Sequence, residues 1–235
     1  MNSTSVEPHD YEATASILAT LAGADIVVLN GAGYDSWAEK AQLNNKRQTV
    51  VNVGDLMGIT ASEEHEYSHD ESSRHHHHHH GSTNPHLWFS PEAVLKAADA
   101  INSAYARKAG DSSKTAATAQ RHFNAWNGEY ASFVVMVNKA RNSGVKRTYV
   151  ATESIVSYLL DYIGATDLTP DTCTNAMNNG SEPSANDFNS ALNTVAGKNV
   201  DLLVVNPQEM TGFYPAQGCR GKSESNSYFR YRAVT

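Results

Sequence analysis

The chain has 235 residues, 40% of them apolar and 18% charged, with a formal net charge of −7 when histidine is counted neutral. That is a globular composition, long enough for one large domain or two lobes with real cores. The acidic balance argues against a nucleic-acid partner, which needs clustered Lys and Arg, and no apolar run reaches the roughly 18 residues that would span a bilayer.

Two cysteines, Cys173 and Cys219, are too few for a disulfide framework or a thiolate zinc site, although they allow one bridge. The N-terminal stretch MNSTSVEPHDYE lacks a basic segment followed by an apolar core, so no signal peptide is expected in this chain. The distinctive count is eleven histidines, eight of which fall between residues 65 and 80.

In chain order, residues 11–22 predict a helix, with Leu18, Leu21 and the alanines on one face. ADIVVLN (24–30) is a short apolar, β-branched run and predicts a buried strand. Asn30-Gly31 and Gly33 mark the turn after it; the full GxGxxG pattern is missing, so this is not a phosphate loop. Residues 35–43 predict a second helix and TVVNV (49–53) a second strand. Strand and helix in alternation argue a parallel sheet flanked by helices.

Residues 60–83 are polar, acidic, His-rich and aperiodic, and predict a mobile loop. Ser90-Pro91-Glu92 then opens a helix to about residue 108, with Ser90 as N-cap and Pro91 in the first helical position. A long helix follows over about 114–142, with Phe123, Trp126, Tyr130, Phe133, Val134 and Val137 at helical spacing. A strand (147–152), a helix (154–163), a loop (178–184), a Ser184-capped helix (185–197) and a buried strand (201–206) complete the pattern. After Gly212 neither period continues, and the tail carries four basic residues against one acid.

The divisions expected are therefore an N-terminal lobe over 1–110, a linking helix over 111–143, a C-terminal lobe over 144–212 and an atypical tail over 213–235.

The residues that carry chemistry lie at the predicted junctions. His9 follows Pro8 just before a helix, and His86 follows Pro85 in NPHLWFSPE. An isolated loop histidine is ordinarily a surface residue. Two Pro-His pairs on stiffened backbone, placed at strand-to-helix junctions where open α/β sheets bind ligands, point instead to a site. Glu153 follows the apolar strand YVAT and precedes the helix SIVSYLL. It reads either as a carboxylate favoured by a helix dipole or as a third ligand. Neutral imidazoles with a carboxylate suit zinc, manganese or iron rather than copper(I).

His122 on the long helix reads as an ordinary helix histidine, and Cys173 as a small structural residue. Trp37, Trp88 and Tyr158 read as core. The run SRHHHHHHGS has the look of an engineered tag. Its internal position and its neighbours Glu63, Glu64, His65, Glu66, His69 and Asp70 favour a native loop. Within it His65, His69, His75, His76, His77, His78, His79 and His80 form a candidate auxiliary metal loop.

PHDYE, ADIVVLNGAGYDSW, NPHLWFSPE, ATESIVSYLLDYIG and EPS…VDLLVVNPQ occur in that order over roughly residues 7–210. This ordered set resembles the zinc/manganese-binding solute-binding proteins of ABC importers. The resemblance implies two α/β lobes joined by a long rigid helix, with a metal bound between them. It implies His9 and His86 as ligands from the first lobe and Glu153 in the third position, with Zn2+ the first choice of metal and Mn2+ the second. It also implies a non-enzymatic monomer that works outside the cytoplasm, lipid-anchored in full-length form, and hands its ion to an ABC permease.

Two departures accompany it. Family members have a strand, helix and strand before PHDYE, and their further strand and helix after NPQ carry a fourth, acidic ligand. No residue of the tail is assigned that role, and a three-ligand site with water in the fourth position is the expectation. Three ligands and an open position are also a zinc hydrolase geometry, but no HExxH signature or evident general base accompanies them. A metal-buffering or adhesion protein centred on the His-rich loop is the other alternative.

Overall fold

A computed structural model describes residues 11–39, 43, 47–59, 83–110, 112–178, 181, 183–197 and 200–206. The chain divides into two compact units, residues 1–140 and 141–235. Each is an α/β arrangement around a parallel sheet, as the alternating pattern predicts.

In the first unit, α1 (Ala15–Gly23) starts at Thr14, whose hydroxyl accepts the Ile17 N–H at 3.4 Å. It leads into β1 (Ile26–Leu29), which pairs in parallel with β2 (Thr49–Asn52), Val27 opposite Val50 and Leu29 opposite Asn52. Val27, Leu29 and Ala38 are buried, with Leu21, Trp37, Leu43 and Val50 packed around them. Trp37 thus belongs to the core, on the short helix α2 (Ser36–Glu39). Gln48 is buried and ties α1 to the sheet: its Nε2 donates to the carbonyls of Leu21 and Ala24, both at 2.8 Å. One side-chain amide thereby serves two carbonyls at the helix end, of which that of Leu21 also accepts the Ala24 N–H.

A single turn, α3 (Val53–Leu56), follows β2 directly because Asn52 accepts the Asp55 N–H as its N-cap. The sequence pattern missed this turn, since four residues carry no period. A 3₁₀ turn at Leu87–Phe89 precedes α4 (Pro91–Ala109). The predicted cap holds: Ser90 Oγ accepts the Ala93 N–H at 3.3 Å, with Pro91 in the first turn. Ala93 and Ala104 are completely buried, so small side chains let α4 lie close to its neighbours.

Helix α5 (Ser113–Asn142) runs unbroken for 30 residues and carries the chain from the first unit into the second. At 1.5 Å per residue that is about 45 Å. Its aromatic residues form a stripe, with the Trp126 and Tyr130 rings stacked at 4.9 Å between centroids. The Tyr130 hydroxyl donates to the Pro91 carbonyl at 3.3 Å, which fastens α5 to the start of α4.

The second unit is a three-stranded parallel sheet in the order β4 (Thr166–Asp167), β3 (Thr148–Ala151), β5 (Leu202–Val204). Tyr149, Val150 and Ala151 are buried, as expected for a central strand covered on both faces. Asp201 locks β5 beside β3, accepting from the Thr148 N–H at 2.8 Å and from its hydroxyl at 3.3 Å. α6 (Ser157–Tyr162) is shorter than its predicted 154–163, because residues 152–156 form the bend that carries Glu153. Tyr158 is half-buried there.

α7 (Asp171–Asn178) is not among the predicted elements; its apolar residues Cys173, Ala176 and Met177 stand at helical spacing among polar ones. Cys173 is buried on it, in keeping with a structural role. α8 (Ala185–Ala196) opens with a capping box between Ser184 and Asp187. Among the described residues no helix is long and apolar enough to cross a membrane. The predicted loop 60–83 lies outside the described residues apart from Thr83, and the tail 213–235 lies wholly outside them.

Candidate metal centre

In the first unit the chain leaving β1 turns sharply. Gly31, Ala32 and Gly33 all have positive φ, at 71°, 54° and 83°. Gly31 cannot be replaced freely, because a Cβ there would fall 1.9 Å from Asn52 Oδ1. Gly54 is equally constrained, with its virtual Cβ 2.7 Å from Ala32 N. The ends of β1 and β2 therefore meet backbone to backbone. Asp35 closes the turn, its two carboxylate oxygens accepting from Asn30 N at 2.6 Å and Gly31 N at 2.9 Å.

Asn30 then reaches across 55 positions of sequence: its Nδ2 donates to the Pro85 carbonyl at 2.7 Å. This bond brings His86 to the carboxyl end of β1, the edge where open α/β sheets bind ligands. His86 reaches the strand end this way rather than by direct succession, since residues 83–85 are not strand. Expected at a strand-to-helix junction, His86 has the helix side in α4, and Asn30 supplies the strand side.

His86 is buried, with 5% of its surface exposed. Its Nδ1 stands 2.7 Å from Asn84 Oδ1, and the same oxygen accepts the His86 backbone N–H at 3.0 Å. Trp88 lies edge-on to the imidazole at 5.2 Å between centroids, and Tyr34 packs edge-on to Trp88 at 4.8 Å. Trp88 corrects an expectation: at 42% exposure it is not core but a flank of the histidine. Its indole sits in a 3₁₀ turn, where helical spacing no longer tells which side faces inward.

In the second unit Glu153 follows β3 with one residue between, and it is buried at 8% exposure. The ladder continues past the strand ends, with Thr152 N donating to Val204 O at 2.9 Å and Asn206 N to Thr152 Oγ1 at 3.0 Å. These bonds align Asn206 beside Glu153, and the Asn206 amide donates to Glu153 Oε2. A buried carboxylate needs such a donor. On the neighbouring strand position, Thr169 Oγ1 accepts from Ala151 N at 2.9 Å.

Of the sequence-predicted ligands, then, His86 and Glu153 are each buried at the carboxyl end of a parallel strand, in separate units. His9 and the auxiliary histidines from His65 to His80 lie outside the described residues. Among the described residues no three His, Cys, Asp or Glu side chains gather as a metal cluster. His122 is exposed on α5, as an ordinary helix histidine would be. Asn84, Asn206 and Asn30 were not expected from the sequence; they hydrogen-bond a candidate ligand or the loop that carries one. The only cue was their placement, Asn84 and Asn206 each directly before a proline and Asn30 at a strand end.

The sequence model of the ZnuA family, described as zinc-uptake complex component A, periplasmic, matches residues 1–212. The chain is 28% identical over 177 residues to the zinc-binding lipoprotein AdcA of Streptococcus pneumoniae, covering 70% of this chain and 33% of that protein. It is 38% identical over 92 residues to the high-affinity zinc uptake system protein ZnuA of Bacillus subtilis, covering 39% and 29%. It thus spans about a third of the length of these curated relatives. Solved structures share the fold. A crystal structure of ZnuA superposes with a TM-score of 0.59 at 19% identity, covering 87% of this chain and 72% of that one. The AdcAII protein of Streptococcus pneumoniae gives 0.59 at 20% identity, covering 89% and 71%. The solute-binding protein FpvC of Pseudomonas aeruginosa, in complex with Mn2+, gives 0.60 at 19% identity, covering 88% and 70%. With nine-tenths of its length matched, this chain belongs to the ZnuA family of periplasmic zinc-uptake components.

Proposed function

We propose that this chain captures a divalent transition metal outside the cytoplasm, zinc first and manganese second, and passes it to an ABC permease. His9 and His86, from the lobe formed by residues 1–110, and Glu153, from the lobe formed by residues 144–212, are its ligands. Water takes the fourth position, and the protein acts as a monomer that performs no catalysis. The His-rich loop, from His65 to His80, is an auxiliary collector that raises the local zinc concentration with poor geometry.

The observation that carries this reading is the family membership together with a buried histidine whose loop is fastened to a strand end by Asn30 and whose ring faces the Asn84 amide oxygen. Imidazole nitrogen with carboxylate oxygen is a donor set that zinc and manganese both accept, and zinc binds such sites more tightly. The names of the relatives point the same way: AdcA is called zinc-binding, and the FpvC structure holds Mn2+.

Calorimetric zinc titration of a chain lacking residues 63–80 tests it. Retained tight binding that is lost in His9→Ala and in His86→Ala is expected. Loss of most zinc affinity on deleting the loop would favour the metal-buffering alternative, and unchanged affinity in the histidine variants would remove the site.

A further inference from the structure

A histidine can bind a metal through either ring nitrogen, and the surroundings of the ring select which one. We propose that Asn84 is a positioning residue that fixes the Nδ1–H tautomer of His86 and so presents Nε2 to the metal. This rests on the ligand role given to His86 above.

Asn84 Oδ1 faces two nitrogens of the same residue, the His86 backbone N at 3.0 Å and Nδ1 at 2.7 Å. The backbone N–H can only donate, so the Asn84 atom it meets is the amide oxygen and not the amide nitrogen. An amide oxygen can only accept, so the 2.7 Å contact requires a proton on Nδ1. A neutral imidazole carries one ring proton, and the lone pair is therefore on Nε2.

The surroundings hold this arrangement in place. Pro85, between the two residues, fixes its own φ, and its carbonyl is pinned by Asn30 Nδ2 at 2.7 Å. Trp88 stands edge-on to the ring at 5.2 Å and limits its rotation. An asparagine also sets the tautomer without placing a negative charge beside the ring. An outer partner of this kind is worth about 10–100-fold in metal affinity.

Nitrogen-15 NMR of the ring nitrogens of His86, in metal-free full chain at about pH 8, reads the tautomer directly. Protonated Nδ1 and unprotonated Nε2 are expected in the native sequence. Asn84→Ala should give a mixture of tautomers and lower zinc affinity by about 10–100-fold, and Asn84→Asp, which still accepts from Nδ1–H, should restore the single tautomer. A proton on Nε2 in the native sequence overturns the proposal even if Asn84→Ala fails to fold. An unchanged tautomer in Asn84→Ala overturns it too, because a loop-bracing asparagine alone would leave the ring unaffected. Unchanged zinc affinity in His86→Ala is a separate failure, that of the ligand role, and leaves the tautomer result standing by itself.

Discussion

The two candidate ligands of known position end up in like places by unlike routes. Glu153 is delivered by its own strand: β3 runs straight into it, and the ladder to β5 continues past the strand ends to set Asn206 alongside. His86 has no strand of its own. It comes in on a loop fastened to the end of β1 by a side-chain bond from Asn30. The asparagine partners also face opposite ways, Asn84 offering an oxygen to an imidazole and Asn206 a donor to a carboxylate. A ligand that extends a strand inherits the precision of the sheet, whereas a ligand on a loop needs dedicated bonds, and these bonds are where it is open to disruption.

The hardest break removes the proposed ligands themselves. His86→Ala and Glu153→Ala should each lower zinc affinity by more than about 100-fold, beyond what an outer partner contributes, as read by competition with a chelating dye. Equal losses would mean that both routes deliver an equally necessary group.

Next comes the turn on which the first route depends. Gly31→Ala forces a left-handed alanine and drives its Cβ into the Asn52 side chain. A stability loss of about 2 kcal/mol or more is expected in urea unfolding. Gly33→Ala shares the positive φ but meets open space, so about 1–2 kcal/mol is expected there. Equal losses at the two positions would show that the close approach of β1 and β2 costs nothing to disturb.

A finer cut separates the two routes. Asn30→Ala should cost about 1 kcal/mol of stability and weaken zinc binding by loosening His86, while Glu153 stays in place on its sheet. Asn206→Ala should do the reverse, leaving Glu153 without the amide that faces it. Backbone amide exchange can tell them apart: the first should quicken exchange at residues 84–90 and the second at residues 152–156. Quickened exchange at both segments in either variant would contradict the separation.

The smallest effect is on acid stability. Hydrogen bonds from Thr148, the backbone N–H foremost, hold the Asp201 carboxyl below the usual carboxylate range. Its folded value lies below its unfolded value of about 3.9. Its contribution is therefore complete above that pH and disappears as pH falls through the folded value. Burial pushes Asp161 the other way, so its ionisation opposes folding as pH rises past about 3.9. Asp201→Asn should flatten the fall in urea midpoint below about pH 4; an unaltered acid limb would show that the clasp between β3 and β5 is insensitive to charge.

How much of this was legible in the sequence follows from the same contrast. Continuous apolar runs announced β1, β2, β3 and β5, and 30 residues of helical spacing announced α5. Glu153 stood out because it directly trails such a run. The Pro85-His86 pair stood out by its stiff backbone, but its place at the end of β1 did not, since a bond between residues 30 and 85 leaves no local period. α7 was missed because its apolar positions, Cys173, Ala176 and Met177, are few and lie among threonine, asparagine and aspartate in a helix of only eight residues. Trp88 was misjudged because hydrophobicity was taken for burial. Asn84 and Asn206 act by the direction of an amide, which composition cannot express.

The closure of the turn after β1 has an electrostatic consequence. Successive backbone amides at the carboxyl end of a parallel strand make a nest for anions, the arrangement that phosphate loops exploit. Here the amides of Asn30 and Gly31 already hold one, the carboxylate of Asp35, as an internal counter-ion. A phosphate approaching this edge meets donors that are spoken for and a negative charge in its way. An approaching cation meets an attractive field beside the loop that carries His86, so the edge sorts its visitors by sign before any ligand touches them.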